Sequence, residues 1–201
     1  MLVYLVHDDG VSRREMGKTI HRLGHAVKYL SPAQSLATED FKEPGCIIVD
    51  ASSSNDSGIE LLEFLYYQGS TLPVIAVSEQ MDVPSAVRAM KLGACDVLVK
   101  PARPDALALA LQQSAATLKR HADRHHTAMS ASRRLGCLTR REKDVLSGLV
   151  KGLPNKSIGY DLGISSRTVE IHRAHLMSKL NVRSLSELLK IVYDAESDAS
   201  H

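Results

Sequence analysis

Polar side chains that could carry out phosphoryl transfer recur in the first half of the chain, each directly after a short apolar run. In chain order they are His7, Asp8, Asp9, Asp50, Ser78 and Lys100. Clustered carboxylates bind hard cations such as Mg²⁺, and a carboxylate can also attack a phosphoryl donor. A hydroxyl and an ammonium group suit the oxygens of a bound phosphoryl group. The residue types therefore predict a phosphoryl-acceptor site, provided that the fold brings them together.

The segments that must position these side chains alternate between strand and helix. The predicted strands are the apolar runs at residues 3–6, 26–30, 46–49, 74–77 and 96–99. Helical spacing predicts helices at residues 13–23, 58–66, 84–92 and from residue 105 onward. This alternation predicts an α/β fold, a five-stranded parallel doubly wound sheet with helices on both faces. Ligands of such sheets bind at the carboxyl ends of the strands, where the polar residues fall.

Residues 2–112 resemble the receiver domain of two-component signalling. The motifs are VHDD at 6–9, IIVD-x7-G from 47 to Gly58, VIAVS ending at Ser78, and AMKLGACDVLVKP ending at Lys100-Pro101. The resemblance implies that Asp50 accepts the phosphoryl group from a sensor histidine kinase, and that Ser78 and Lys100 contact that group. It also implies Mg²⁺ as cofactor, with ligands from Asp8, Asp50 and the carbonyl of Ser52.

The chain departs from the receiver pattern at three places. Two acids are usual after the first strand, and the spacing to the next helix puts His7 and Asp8 there; a shifted register would use Asp8 and Asp9. An imidazole is a poor Mg²⁺ ligand, so we expect weak metal binding. Ser53-Ser54 replaces the usual Met-Pro, and Val97 replaces the aromatic switch residue.

The second half of the chain carries signals for a helix-turn-helix. Thr139 begins a T-x-x-E capping box, Gly163 permits a tight turn, and Ser165 is a natural helix N-cap. Helices are predicted at 155–162 and 166–180, and a further one from Ser184. A polar, basic second helix after such a turn has the geometry that enters a DNA major groove.

Residues 138–190 resemble the DNA-binding domain of the LuxR/FixJ family of transcription regulators. The motifs are LTxRExxVL at 138–146, G-x-x-NKxI at 152–158, LGIS-x-RTVExHR at 162–173 and MxKL at 177–180. The resemblance implies an all-α domain of four helices that binds double-stranded DNA as a homodimer, through a last helix at about 184–193. The DNA-facing residues would be Asn155, Lys156, Arg167, Thr168, Glu170, Ile171, Arg173, Ala174 and Lys179.

Charge and composition agree with two domains of different function. Residues 1–112 hold 10 Lys and Arg against 14 Asp and Glu, a net −4, whereas residues 113–201 hold 15 against 9, a net +6. We therefore predict a receiver at 1–112, a helical and then flexible linker at 113–137, flexible from Thr127 to Gly136, and a DNA-binding domain at 138–201. The three widely spaced cysteines and the lack of a long apolar run predict a cytoplasmic protein without a membrane span.

The leading hypothesis is a DNA-binding two-component regulator controlled by phosphorylation of Asp50. Phosphorylation would change the surface formed by the predicted helix at 84–92 and the predicted strand at 96–99, and would promote dimerisation. An alternative keeps DNA binding but makes the receiver independent of phosphorylation, as a module for dimerisation or protein docking. A third hypothesis is a metal-dependent hydrolase built on the His7-Asp8-Asp9 cluster. It lacks a second ligand motif, so we expect no enzyme.

Overall fold

In the computed structural model, residues 1–31, 41–52, 57–79 and 82–196 are described. The chain divides into two compact units, one formed by Met1–His121 and one beginning at Ala122. Within the described residues, no helix is both long and apolar enough to cross a membrane. The predicted departure at Ser53-Ser54 lies outside the described residues.

The first unit is built on a parallel five-stranded sheet, which confirms the predicted fold class. Its strands are β1 (Leu2–Val6), β2 (Ala26–Leu30), β3 (Gly45–Asp50), β4 (Val74–Ser78) and β5 (Ala94–Val99). They lie in the order β2-β1-β3-β4-β5. Val6 pairs with Val49, and Asp50 pairs with Val77, so the carboxyl ends of β1, β3 and β4 meet at one edge.

Alternate strand residues feed two hydrophobic clusters on opposite faces of the sheet, because side chains in a strand point to alternate sides. Tyr4 and Val6 belong to the cluster covered by α2 (Ser57–Tyr67) and α3 (Val83–Lys91). Val3 and Leu5 belong to the cluster covered by α1 (Gly10–Arg22) and by α4 (Pro104–Gly136). The central strands are buried on both faces, which explains their continuous apolar sequence.

Helix α4 runs without a break from Pro104 to Gly136. The prediction of a flexible linker from Thr127 to Gly136 is therefore wrong. The small residues in this segment are spaced for burial on one helical face: Ala128 and Ala131 are buried, and Leu135 packs against the core of the second unit. Small side chains here permit close packing instead of indicating a loop.

The second unit contains the four predicted short helices in addition to the end of α4. They are α5 (Arg140–Val150), α6 (Asn155–Leu162), α7 (Ser166–Lys179) and α8 (Leu185–Glu196). Their shared core includes Val145, Ile158, Val169, Leu176 and Leu188, all almost fully buried. Each of these residues comes from the apolar face of its own helix, so the core fixes α7 against α5 and α6.

Candidate functional site

The carboxyl edge of the sheet collects the polar residues that the sequence singled out. Asp50 is the last residue of β3, His7 follows β1, and Lys100 follows β5. Ser78 ends β4 with its side chain buried, and its carbonyl accepts a hydrogen bond of 2.7 Å from the Lys100 amide. The parallel register thus gathers residues that lie up to about a hundred positions apart in sequence.

Asp50 lies at the centre of this cluster, and both of its carboxylate oxygens contact donors. Lys100 Nζ lies 2.7 Å from Oδ2. Ser52 donates to Oδ1 from its hydroxyl at 2.6 Å and from its amide at 3.2 Å. Burial on its own raises the pKa of Asp50, but the hydrogen bonds from Lys100 and Ser52 outweigh it and hold that pKa below its usual range. Asp50 is therefore an ionised carboxylate at neutral pH.

His7 is buried beside Asp50, a contact that spacing alone did not reveal. Its Nε2 lies 3.3 Å from Asp50 Oδ2 and 3.0 Å from Lys100 Nζ. Its Nδ1 accepts a hydrogen bond of 3.0 Å from the Asp9 amide. Burial lowers the pKa of His7, so the imidazole is neutral at pH 7. His7 occupies the position that the favoured register assigned to it.

The neighbouring acids Asp8 and Asp9 make different contacts. The Asp9 carboxylate caps α1, accepting from the amides of Ser12 at 2.7 Å and Val11 at 3.3 Å. Asp8 is exposed, and the Ser57 hydroxyl lies 3.5 Å from its Oδ2. The structure therefore places His7, and not Asp9, against Asp50.

Gly58 allows α2 to lie close to the strand that carries Asp50. In the sequence, only its spacing from Asp50 indicated this role. A Cβ at Gly58 would collide with the backbone carbonyl of Asp50, so α2 can pack against the acceptor strand only without a side chain there. The glycine of the IIVD-x7-G motif is thus explained by this close approach of two backbones.

The second unit presents a helix-turn-helix with its polar face exposed. Gly163 adopts φ 66° between α6 and α7, the left-handed conformation that glycine favours. The Ser165 hydroxyl caps α7 by accepting from the Thr168 amide at 3.0 Å. On α7, Ile171 is 47% exposed although it is apolar. Arg167 and Glu170 are exposed and form an ion pair of 3.0 Å.

The other predicted DNA-facing residues lie at or near the surface of the same unit. Lys156 and Ala174 are exposed, whereas Asn155, Thr168 and Arg173 are half-buried. The N-terminus of α6 follows Pro154, which makes no side-chain cap. Amides at such a helix end suit an anion such as a DNA phosphate.

Lys179 makes a contact that the sequence did not reveal. Its ammonium lies 2.8 Å from Oε2 of Glu142, a nearly buried carboxylate that also accepts from the Thr139 amide at 2.8 Å. These hydrogen bonds, Lys179 first, lower the pKa of Glu142 to about 2. The pair ties the end of α7 to the start of α5, and the DNA contact proposed for Lys179 stays a prediction.

Arg134 makes a second contact with the end of α7, and the sequence did not predict it. Its guanidinium, near the end of α4, donates to the backbone carbonyl of Leu180, the C-cap residue of α7. A cation at that end complements the helix dipole and satisfies an unpaired carbonyl. Nothing in the local sequence signals this contact, since 46 positions separate the two residues.

Comparison with known proteins gives two family matches that together span most of the chain. The response regulator receiver domain matches residues 3–112, and the luxR family of bacterial regulatory proteins matches residues 136–192. The transcriptional regulatory protein FixJ of Azorhizobium caulinodans is 38% identical over 190 residues, which are 94% of this chain and 90% of that protein. The chain belongs to the FixJ family of response regulators.

Other response regulators agree over nearly the full length. FixJ of Rhizobium meliloti is 37% identical over 94% of this chain and 93% of its own. Among solved structures, the response regulator StyR has a TM-score of 0.75 at 33% identity, covering 96% of this chain and 98% of StyR. Full-length FixJ from B. japonicum has a TM-score of 0.56 at 33% identity, covering 96% of each chain. This FixJ-family protein is therefore a two-component transcriptional regulator, not an enzyme, and the hydrolase hypothesis is wrong.

Receiver domains generally bind Mg²⁺ at the phosphorylation site, and the side chains that contact Asp50 in this FixJ-family receiver suit that ion poorly. Mg²⁺ prefers an octahedron of oxygen ligands. Here an imidazole stands where a second acid is usual, and Asp50 Oδ2 already contacts the Lys100 ammonium. Across the part of the chain that the structure describes, no three His, Cys, Asp or Glu side chains converge on a metal-sized site.

Proposed function

We propose that this regulator binds double-stranded DNA through α7, which enters the major groove, and that phosphorylation of Asp50 by a sensor histidine kinase controls that binding. The observation that carries the DNA role is the exposed face of α7, in which Ile171 stays open to solvent beside charged neighbours. An apolar side chain in that place suits contact with base edges and thymine methyl groups.

The roles on this surface follow from side-chain chemistry. Glu170, Ile171 and Ala174 would face base edges. Cationic and polar groups would contact phosphates; they are Asn155, Lys156, Arg167, Thr168, Arg173 and Lys179. Because Arg167 pairs with Glu170 in the free protein, DNA binding would exchange that ion pair for phosphate and base contacts.

The salt dependence of DNA binding tests these roles. Arg167→Ala should weaken binding to all sequences and reduce the slope of log K against log salt by about one. Ile171→Ala should instead alter which sequence is preferred, with an unchanged slope. If both variants bind the same DNA as tightly as the unmodified chain, α7 is not the reading helix.

Asp50 is the proposed phosphoryl acceptor because it is the ionised carboxylate at the carboxyl edge of the sheet. One of its oxygens would attack the phosphorus of the donor. The bond from phosphorus to the donor atom would break, and its electron pair would leave with the donor. Lys100, already 2.7 Å from Asp50, would compensate the added negative charge, with Ser78 as a donor to the phosphoryl oxygens.

Phosphorylation is tested by treating the full chain with a small-molecule acyl phosphate and measuring intact mass. We expect one added phosphoryl group, absent in Asp50→Asn and retained in Asp123→Asn, a matched change at an exposed acid on α4. Addition to Asp50→Asn would show that another residue accepts the group.

We further propose a cytoplasmic homodimer without membrane attachment. Exposed apolar side chains support two contact surfaces. Val87, Met90 and Val99 lie on α3 and β5, whereas Leu189 and Tyr193 lie on α8. Apolar patches of this kind mark association surfaces. Because Val97 cannot swing as an aromatic switch residue does, we expect a detectable dimer without phosphorylation, measurable by analytical ultracentrifugation.

A second candidate function keeps DNA binding and dimerisation but makes the receiver independent of phosphorylation. His7 favours it, because this imidazole replaces an acid and contacts both Asp50 and Lys100. Asp50→Asn separates the two functions. Under the first function, phosphodonor changes the DNA affinity of the unmodified chain but not that of Asp50→Asn. Under the second function, it changes the DNA affinity of neither protein.

A further inference from the structure

The Lys100 ammonium lies among the polar groups that surround Asp50. Its Nζ is 2.7 Å from Asp50 Oδ2, 3.0 Å from His7 Nε2 and 3.5 Å from Ser52 Oγ. The side chain of Lys100 is only 9% exposed, so little water competes for these contacts. A cation fixed by the protein therefore already neutralises the carboxylate.

The two nitrogens of His7 each face a hydrogen-bond donor. The Asp9 amide donates to Nδ1, and the Lys100 ammonium lies against Nε2. A neutral imidazole has one nitrogen that carries a proton and one that accepts. Because Nδ1 accepts from the Asp9 amide, the ring proton lies on Nε2, 3.3 Å from Asp50 Oδ2, so His7 has no free lone pair for a metal.

Metal-binding histidines show the opposite arrangement. Their second ring nitrogen usually donates its N–H to a carboxylate or a carbonyl, which fixes the tautomer and makes the metal-facing nitrogen more basic. The Asp9 amide is itself a donor, so the surroundings of His7 do not support this ligand geometry. A softer ion such as Mn²⁺, which accepts nitrogen ligands more readily than Mg²⁺ does, meets the same obstacle.

We propose that Lys100 and His7 hold the Asp50 carboxylate in place of a divalent cation, and that this receiver takes up neither Mg²⁺ nor Mn²⁺ at Asp50. Asp50 Oδ1 accepts from Ser52, and Oδ2 lies close to both Lys100 Nζ and His7 Nε2, so protein groups already engage both oxygens. The proposal deepens the proposed function, because it concerns the Asp50 site on which phosphorylation control rests.

Electron paramagnetic resonance of free Mn²⁺, titrated with the full chain, tests the proposal directly. We expect no binding that depends on Asp50. His7→Asp supplies an oxygen ligand and should bind Mn²⁺ at least about tenfold more tightly than the unmodified chain does, and Mg²⁺ should compete for the same site. His7→Asn is the matched control, because it removes the imidazole without adding a carboxylate, and it should not gain this affinity.

Lys100→Met provides a second, independent test in case His7→Asp does not fold. It frees Asp50 Oδ2 and one face of His7, so Mn²⁺ affinity should rise above that of the unmodified chain. Two results would overturn the proposal: Mn²⁺ binding by the unmodified chain that Asp50→Asn abolishes, or no gain in any folded His7→Asp or Lys100→Met variant. The mass measurement with phosphodonor is separate, since loss of phosphorylation refutes the proposed function without creating a metal site.

Discussion

Replacing Lys179 by methionine should destabilise the second unit in a way that depends on pH. The change keeps an aliphatic chain of similar length but removes the ammonium 2.8 Å from Glu142. Glu142 would then remain nearly buried with only its Thr139 partner. Removing one member of a buried ion pair leaves an uncompensated charge, which costs more than an exposed pair contributes.

The lowered pKa of Glu142 gives the size of the destabilisation expected for Lys179→Met. Its lowering from 4.5 to about 2 corresponds to roughly 3 kcal/mol at about 1.4 kcal/mol per pKa unit. Lys179 is the largest cause but not the only one, and its side chain is 42% exposed, so solvent screens the pair. We therefore expect Lys179→Met to lower the free energy of unfolding by about 1–2 kcal/mol at pH 7.

The sign of the pH dependence follows from the lowered pKa. A carboxyl whose folded pKa lies below its unfolded pKa contributes stability above the unfolded value, and this is lost as pH falls through the folded value. For Glu142 the window runs from about 4.5 down to about 2. At pH 3, roughly 60% of the contribution should be gone, so the difference between the two proteins should shrink accordingly.

Urea titration of the full chain, followed by NMR intensities of second-unit amides, measures this difference. Lys143→Met is the matched control, because it removes an exposed lysine from α5. At pH 7 the midpoint for Lys179→Met should fall by about 0.5–1 M relative to that control. Equal midpoints at pH 7, or a gap that persists undiminished at pH 3, would refute the assigned role of the pair.

Three further perturbations test the second unit. Gly163→Ala forces a side chain into φ 66° and should cost about 1 kcal/mol, read from the melting temperature; an unchanged value would argue against the turn geometry. Arg134→Ala should weaken specific DNA binding more than Arg133→Ala, which removes the same charge without the α7 contact, and equal losses would show a purely electrostatic effect. Glu170→Gln should alter base preference while leaving the fold intact, and an unchanged preference across a randomised DNA pool would remove it from the reading surface.

Features that depend on local sequence were predictable. Thr139 with Glu142 predicts a helix start, Gly163 a turn and Ser165 a second helix start, each from its immediate neighbours, and each has the predicted conformation. The sheet was equally predictable, because short apolar runs alternating with helical segments permit few topologies. Spacing also assigned His7 and Asp8, and not Asp9, to the two positions that are usually acidic, but it did not predict the contact between His7 and Asp50.

Contacts between distant residues were not predictable. Glu142 and Lys179 are 37 positions apart, and each has an ordinary local explanation, as a capping-box acid and as a basic residue on a DNA-binding helix. Composition misled at Thr127–Gly136, because alanine and serine suit both a flexible chain and a closely packed helix. Periodicity distinguishes the two, since Ala128, Ala131 and Leu135 recur on one face.

The continuity of α4 limits how this protein can be recombined with its relatives. Exchange of output domains between regulators requires a crossover point at which each product keeps its own hydrophobic core. A crossover at residue 137 would leave the output domain without Ala131, Leu135 and Arg134, three of its own packing and capping residues. A crossover near residue 121 preserves both cores. Selection for modular exchange should therefore act within the helix, well before the first residue of the helix-turn-helix motif.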